Sequence, residues 1–225
     1  MPPHDPKALF KLLHEAPLEA PLEAPPQTLV ETPPLYYLPG LISESDASDL
    51  QDRLRQELDW QQPELTLYGR SHPIPRQQVW MGDHAYRYSG RDFAPCPWHP
   101  TVAALRDRLN DLLERFSAVD KSTPTSAFNS VLINRYRNGE DRMGWHCDNE
   151  AVLGDCPTIA SISLGATRPM RFRWKDRSSE AFNVWLESGS LLWMGPGCQE
   201  QLEHALLPRK IPGERINLTF RRLIA

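Results

Sequence analysis

The stretch that decides the fold is FNSVLINRYRNGEDRMGWHCDNE, residues 128–150. Its first nine residues, Phe128 to Tyr136, are short-range strand material: apolar and aromatic, followed by turn residues. Five more segments share that character: TIASISLG (158–165), MRFRW (170–174), FNVWL (182–186), SLLWMG (190–195) and RINLTFR (215–221). Gly, Pro, Asn and Asp separate them. Six short strands with such punctuation predict an antiparallel sandwich or barrel, and so an α+β chain that is mainly β.

Upstream the pattern is helical. Ser43-Glu44-Ser45-Asp46 offers an N-cap, and Ala47, Leu50, Leu54 and Leu58 follow at helical spacing. Pro100 opens a second helix with Val102, Leu105, Leu109, Leu112 and Phe116 on one face. Further upstream, nine of the 22 prolines fall within the first 34 of the 225 residues, and 14–26 read HEAPLEAPLEAPP. Proline at every fourth position removes backbone donors and blocks a helix. Residues 1–34 are therefore expected to be a flexible proline-rich arm, and 35–225 the folded domain.

The net charge of −4 argues at first against a nucleic-acid partner, but it is unevenly spread. Residues 1–34 carry −3 and 35–64 carry −5, leaving +4 on 65–225. Two runs stand out there: Arg70, Arg76, Arg87 and Arg91 in 65–91, and Arg168, Arg171, Arg173, Lys175 and Arg177 in 168–177. Both suit phosphate contacts or a solvated strand face. Four cysteines without CxxC spacing suggest reduced thiols. No apolar run approaches the roughly 20 residues of a membrane span, and the N-terminus lacks the layout of a signal peptide. A soluble cytoplasmic monomer that does not engage a membrane is expected.

Chemistry concentrates in the second half of the opening stretch. His146 and Asp148 are two apart, so in extended chain an imidazole and a carboxylate point to one side. His204 lies after another strand-like run. Two histidines and one carboxylate leave three metal positions open, which suits an iron(II) that must bind a co-substrate and O₂ together. The same spacing also fits a structural histidine. On a strand, Arg215, Asn217, Thr219 and Arg221 share one face while Ile216, Leu218 and Phe220 share the other. The polar face is either an edge in water or a carboxylate-binding wall, since guanidinium binds carboxylate through a two-donor fork. Asn134 and Tyr136 repeat the alternation.

Taken together, Asn134-x-Tyr136, His146-x-Asp148, His204 and Arg215-x-Asn217-x-x-x-Arg221 resemble the signature of the AlkB family of Fe(II)/2-oxoglutarate dioxygenases, in the branch that repairs alkylated DNA bases. The likeness covers roughly residues 36–222. PRQQVWMGD (75–83) and YRYSG (86–90) resemble that family's substrate lid, placed at 65–91. The resemblance implies a double-stranded β-helix (jelly roll) core, flanked by the N-terminal helices and the lid. It implies Fe(II) held by His146, Asp148 and His204, and 2-oxoglutarate held by Asn134, Tyr136, Arg215, Asn217 and Arg221. O₂ completes the reactants.

The implied reaction is oxidative demethylation of 1-methyladenine or 3-methylcytosine type lesions in DNA, possible in RNA too, with formaldehyde released. Such a lesion lies on the pairing edge, so the base must be flipped out or single-stranded. Tyr88 matches the family's stacking aromatic, with Tyr86 beside it; two ordinary half-buried strand tyrosines are the alternative. Tyr68, Gly69 and Arg70 match a finger that enters the duplex, and Asn149 and Glu150 match the contact to the base's polar edge. Asn149 departs from the acid common there, which leaves the choice of lesion open. An RNA or protein demethylase of the same chemistry, and a nucleic-acid-binding module with an inactive pocket, are the competing readings.

Overall fold

The computed structural model describes residues 26–67, 69–83, 86–88, 91–93, 95–119 and 127–224. Among them the strands build two antiparallel sheets and two hairpins. The larger sheet contains β1 (Gln27–Val30), β2 (Leu35–Leu38), β5 (Gln77–Gly82), β8 (Ser130–Tyr136), β10 (Ile159–Gly165), β13 (Leu191–Met194) and β15 (Arg215–Arg221), in the order β1-β2-β13-β10-β15-β8-β5. The smaller contains β9 (Met143–His146), β11 (Arg168–Trp174), β12 (Phe182–Leu186) and β14 (Leu202–Leu206), in the order β12-β11-β14-β9. The hairpins are β3 (Glu64–Leu67) with β4 (Arg70–Pro73), and β6 (Tyr86–Tyr88) with β7 (Arg91–Phe93). This is the mainly β, jelly-roll architecture expected from the sequence.

Helix α1 (Glu44–Glu57) starts where its cap lies: Ser43 Oγ accepts from the Asp46 amide at 3.2 Å. Ala47, Leu50 and Leu54 are its buried face. Leu58, expected on the helix, instead ends it in extended geometry and packs against the core. Helix α2 (Pro100–Val119) buries Val102, Leu105, Leu109, Leu112 and Leu113; the side chain of Phe116 lies outside the described residues. Both helices cover the outer face of the larger sheet, against Ile133, Ile162, Ile216, Leu218 and Phe220. Full burial of each such side chain stabilises by about 1.5–3 kcal/mol.

A second core, with Met170, Phe172, Val184, Leu186, Leu192 and Leu202, fills one end of the space between the sheets. The other end stays polar and holds the site.

Part of the stretch expected to be a flexible proline-rich arm, residues 1–34, is folded. Residues 27–34 belong to the fold: β1 pairs with β2, and Pro33 and Pro34 are buried. The Pro34 carbonyl accepts the Gly195 amide at 2.9 Å and the Cys198 thiol at 3.2 Å. The rest of the expected arm, residues 1–25, lies outside the described residues. No described helix is long and apolar enough to cross a membrane.

Candidate active site

Strand register assembles the first part of the site. β14 pairs with β9 so that His204 stands directly opposite His146, and their ring centroids are 4.3 Å apart. Asp148 follows β9 by two residues and is buried. All three line one cavity with Leu132, Asn134, Tyr136, Asn217, Thr219 and Arg221. His146 Nδ1 is 2.9 Å from the Gly144 carbonyl. A carbonyl can only accept, so Nδ1 carries a proton, and in the neutral ring Nε2 is the nitrogen with a lone pair to offer a cation.

Burial favours a neutral Asp148, but the Arg221 guanidinium and then the two histidines hold its carboxyl down at about 2. Burial and the neighbouring His146 push His204 down to about 3, against the pull of Asp148. At neutral pH the site therefore presents an ionised carboxylate and an uncharged imidazole, the forms that ligate metal. Among the described residues no three carboxylate, imidazole or thiol groups stand close enough together to hold an ion as placed. The donor set itself, two imidazoles and one carboxylate, fits iron(II) with open positions.

β15 supplies the second part. It lies between β10 and β8, and all seven of its residues are buried, so its polar face is no solvent-exposed edge. That face is wired along its length. Arg221 Nη2 donates to Asp148 Oδ2 at 2.9 Å, and Thr219 Oγ1 donates to Asn217 Oδ1 at 3.0 Å. Asn217 Nδ2 donates to Ser161 Oγ and to the Ile162 carbonyl, both at 2.8 Å. Arg215 Nη2 donates to Ser163 Oγ at 2.9 Å, while Arg215 Nε and Nη1 are buried without a hydrogen-bond partner among the described residues. Burial lowers the Arg215 guanidinium to about 10, still charged at neutral pH. The Tyr136 ring centre is 5.5 Å from it. Open donors on a buried cation are costly unless a ligand satisfies them, and a carboxylate matches them in charge and shape.

The sequence reading missed several parts. Arg76, read there as a possible phosphate contact, is buried, and its Nε donates to Asn134 Oδ1 at 2.9 Å. Arg168, counted in the basic run, is 1% exposed and donates to the carbonyls of Asn138, Asp141 and Leu207. Arg173 and Arg177 both pair with Glu203, and Lys175 Nζ donates to the Gln199 carbonyl. Four of the five bases in 168–177 are thus engaged within the chain. Ser161 and Ser163 support the β15 wall; their signal was polar residues at alternate positions of an otherwise apolar strand.

The substrate contacts are less gathered. Gly69 (φ +77°) and Arg70 lie exposed at the tip of the β3–β4 hairpin; Tyr68 between strands lies outside the described residues. Tyr86 and Tyr88 take alternate places on β6, with their side chains outside the described residues. Asn149 is exposed and Glu150 half-buried, at the start of a short 3₁₀ turn (Ala151–Leu153), and neither lines the cavity.

The family model for the 2OG-Fe(II) oxygenase superfamily matches residues 34–221. DNA oxidative demethylase ALKBH2 of Mus musculus is 34% identical over 197 residues, covering 82% of this chain and 78% of the relative. Alpha-ketoglutarate-dependent dioxygenase alkB homolog 3 of Homo sapiens is 32% identical over 194 residues, covering 81% of this chain and 64% of the relative. The solved structure of OsALKBH1 superposes with a TM-score of 0.60 at 21% identity, over 88% of this chain and 100% of that one, a likeness of fold.

Proposed function

The chain belongs to the 2OG-Fe(II) oxygenase superfamily and within it to the AlkB family, and on that premise we propose that it oxidatively demethylates N-alkylated bases in DNA. Fe(II) is its cofactor, and 2-oxoglutarate and O₂ are its co-substrates. His146, Asp148 and His204 would hold the iron. Bound there, iron would supply the means for O₂ to hydroxylate an N-methyl group as 2-oxoglutarate is oxidised to succinate and CO₂, and the resulting N-hydroxymethyl group would release its carbon as formaldehyde.

The single observation that carries this reading is Arg215. A buried guanidinium with two unsatisfied donors shares a strand face with Arg221, which grips the metal carboxylate. One dicarboxylate would fill that need: Arg215, beside the cavity rather than in its lining, would fork one end, and Asn134, Tyr136, Asn217 and Arg221 would line its path to the histidines. Ser163 and Ser161, on the neighbouring β10, hold Arg215 and Asn217 in place. Leu132, Met170 and Met194 add apolar surface among these polar groups and would exclude water from part of the cavity. On the substrate side, Tyr86 and Tyr88 would stack the flipped base, Tyr68, Gly69 and Arg70 would enter the duplex, and Asn149 and Glu150 would meet the base edge.

All four cysteines are unpaired, which supports a reducing, cytoplasmic setting. Among the described residues the exposed large apolar side chains are Trp185 and Ile224, too little surface to require a partner copy, which supports a monomer. The test is release of formaldehyde and succinate from oligonucleotides carrying 1-methyladenine or 3-methylcytosine, run beside methylated RNA and peptide. Turnover confined to RNA or peptide would redirect the substrate, and none on any of them would refute the reading.

A further inference from the structure

Gln199 is the buried polar side chain closest to the proposed metal carboxylate that no part of the mechanism uses. It sits in α3 (Cys198–Gln201), the short helix joining β13 to β14, and is 1% exposed. Its Oε1 accepts the backbone N–H of Asp148 at 2.9 Å, across 51 residues of sequence. Its Nε2 points at Met194 Sδ at 3.4 Å, on the cavity wall. Its own carbonyl accepts Lys175 Nζ at 2.7 Å. The amide's orientation is determined, because the Asp148 N–H is a donor and only the oxygen can receive it.

Asp148 is thus held at two points. Arg221 fixes the carboxylate through Oδ2, and Gln199 fixes the backbone from which that carboxylate springs. Asp148 lies beyond the last residue of β9, where the ladder to β14 no longer sets its position. Gln199 replaces the missing ladder bond, and it does so from a helix only a few residues before His204. One side chain therefore ties the carboxylate ligand to the element carrying the second histidine.

We propose that Gln199 is a positioning residue that sets the Asp148 carboxylate for metal binding; the proposal rests on the metal assignment above. Partners of this kind typically tune metal affinity by about 10- to 100-fold. A purely structural amide would instead change stability and leave the metal untouched.

The test uses the full chain, freed of metal, titrated with Mn(II) in a calorimeter, and assayed at rising Fe(II). In Gln199→Leu the Kd for Mn(II) should rise by about 10- to 100-fold. Its kcat should recover at saturating Fe(II), with the KM for 2-oxoglutarate unchanged. Should Gln199→Leu fail to fold, Gln199→Asn, too short to reach, carries the same expectation. Parent-like Mn(II) binding in the folded Leu or Asn variant would overturn the proposal. A parent chain that takes up no Mn(II), as a His146→Ala control should not, would overturn the metal assignment itself and the proposal with it.

Discussion

Arg221 Nη2 and Asp148 Oδ2 lie 2.9 Å apart, with the two side chains only 5% and 7% exposed. Arg221 ends β15 of the larger sheet, and Asp148 follows β9 of the smaller one, so a single ion pair joins the co-substrate wall to the metal carboxylate. Both charges have left water, and neither is tolerable there without the other.

Removing Arg221 therefore should do more than weaken co-substrate binding. Arg221→Met leaves a buried, unpaired carboxylate, and breaking such a pair costs about 3–5 kcal/mol. Urea unfolding of the metal-free variant should show a loss of that order. The double variant Arg221→Met with Asp148→Leu should recover most of it, because both charges are then gone. A single-variant loss below about 1 kcal/mol would place the pair in effect at the surface.

The same groups make the metal-free chain acid-sensitive. His204 is held at about 3, far below its ordinary 6.5, so the unfolded chain takes up a proton that the folded one refuses. Stability is then full above about pH 6.5 and falls as pH drops from there toward 3. Asp148, held at about 2 against 3.8, adds stability that is present above about pH 4 and lost as pH falls toward 2. At pH 5 His204 alone should cost about 2 kcal/mol. The urea midpoint should drop between pH 7 and 5, and His204→Phe should flatten that drop.

Strand alternation made much of this site legible. Arg215, Asn217, Thr219 and Arg221 share a face at the spacing the sequence shows, and His146 and Asp148 do likewise. The same rule, applied to 168–174, would have turned Arg168 inward with Met170 and Phe172, but the density of charge there read as surface. What no spacing reveals is which distant residues meet. Arg76 reaches Asn134 across 58 positions and Gln199 reaches Asp148 across 51. Those contacts depend on sheet order, which local pattern does not encode. The proline count misled for a related reason: Pro33 and Pro34 look like the arm before them, and only the neighbours Gly195 and Cys198 make them core.

Arg215 separates binding from stability. Hydrogen bonds to a charged carboxylate contribute about 1.5–3 kcal/mol, so Arg215→Met should raise the KM for 2-oxoglutarate by roughly 10- to 100-fold. Its unpaired donors give the unliganded fold nothing, so the variant's Tm without co-substrate should be unchanged or higher. Arg215→Lys, charged but without the fork, should recover only part of the affinity. A fall in Tm with an unchanged KM would reverse the assignment.

The turn between β8 and β9 tolerates no side chain at Gly139. A Cβ there would run into the Arg209 carbonyl and come within 2.7 Å of the Ile211 carbonyl. Arg168 clamps that turn from inside through Asn138 and Asp141, so the backbone has little freedom to retreat. Gly139→Ala should cost about 1–3 kcal/mol, measured by thermal or urea unfolding. It should also weaken Mn(II) binding, since the turn feeds directly into the strand bearing His146.

The N-terminal boundary gives a last test, between two truncations. Deleting residues 1–34 removes β1, bares the edge of β2, and strips the Pro34 carbonyl from the Gly195 amide and the Cys198 thiol. Gly195 lies just before α3 and Cys198 is its first residue, and α3 carries Gln199 toward Asp148. Loss of those anchors should therefore lower Tm by several degrees, since about 1 kcal/mol shifts a chain of this size by about 2–4 °C. It should also loosen metal binding. Deleting only residues 1–25 leaves β1, Pro33 and Pro34 in place, and Tm, kcat and Mn(II) affinity should match the full chain. Equal behaviour of the two truncations would show that the first strand contributes nothing to the site's support.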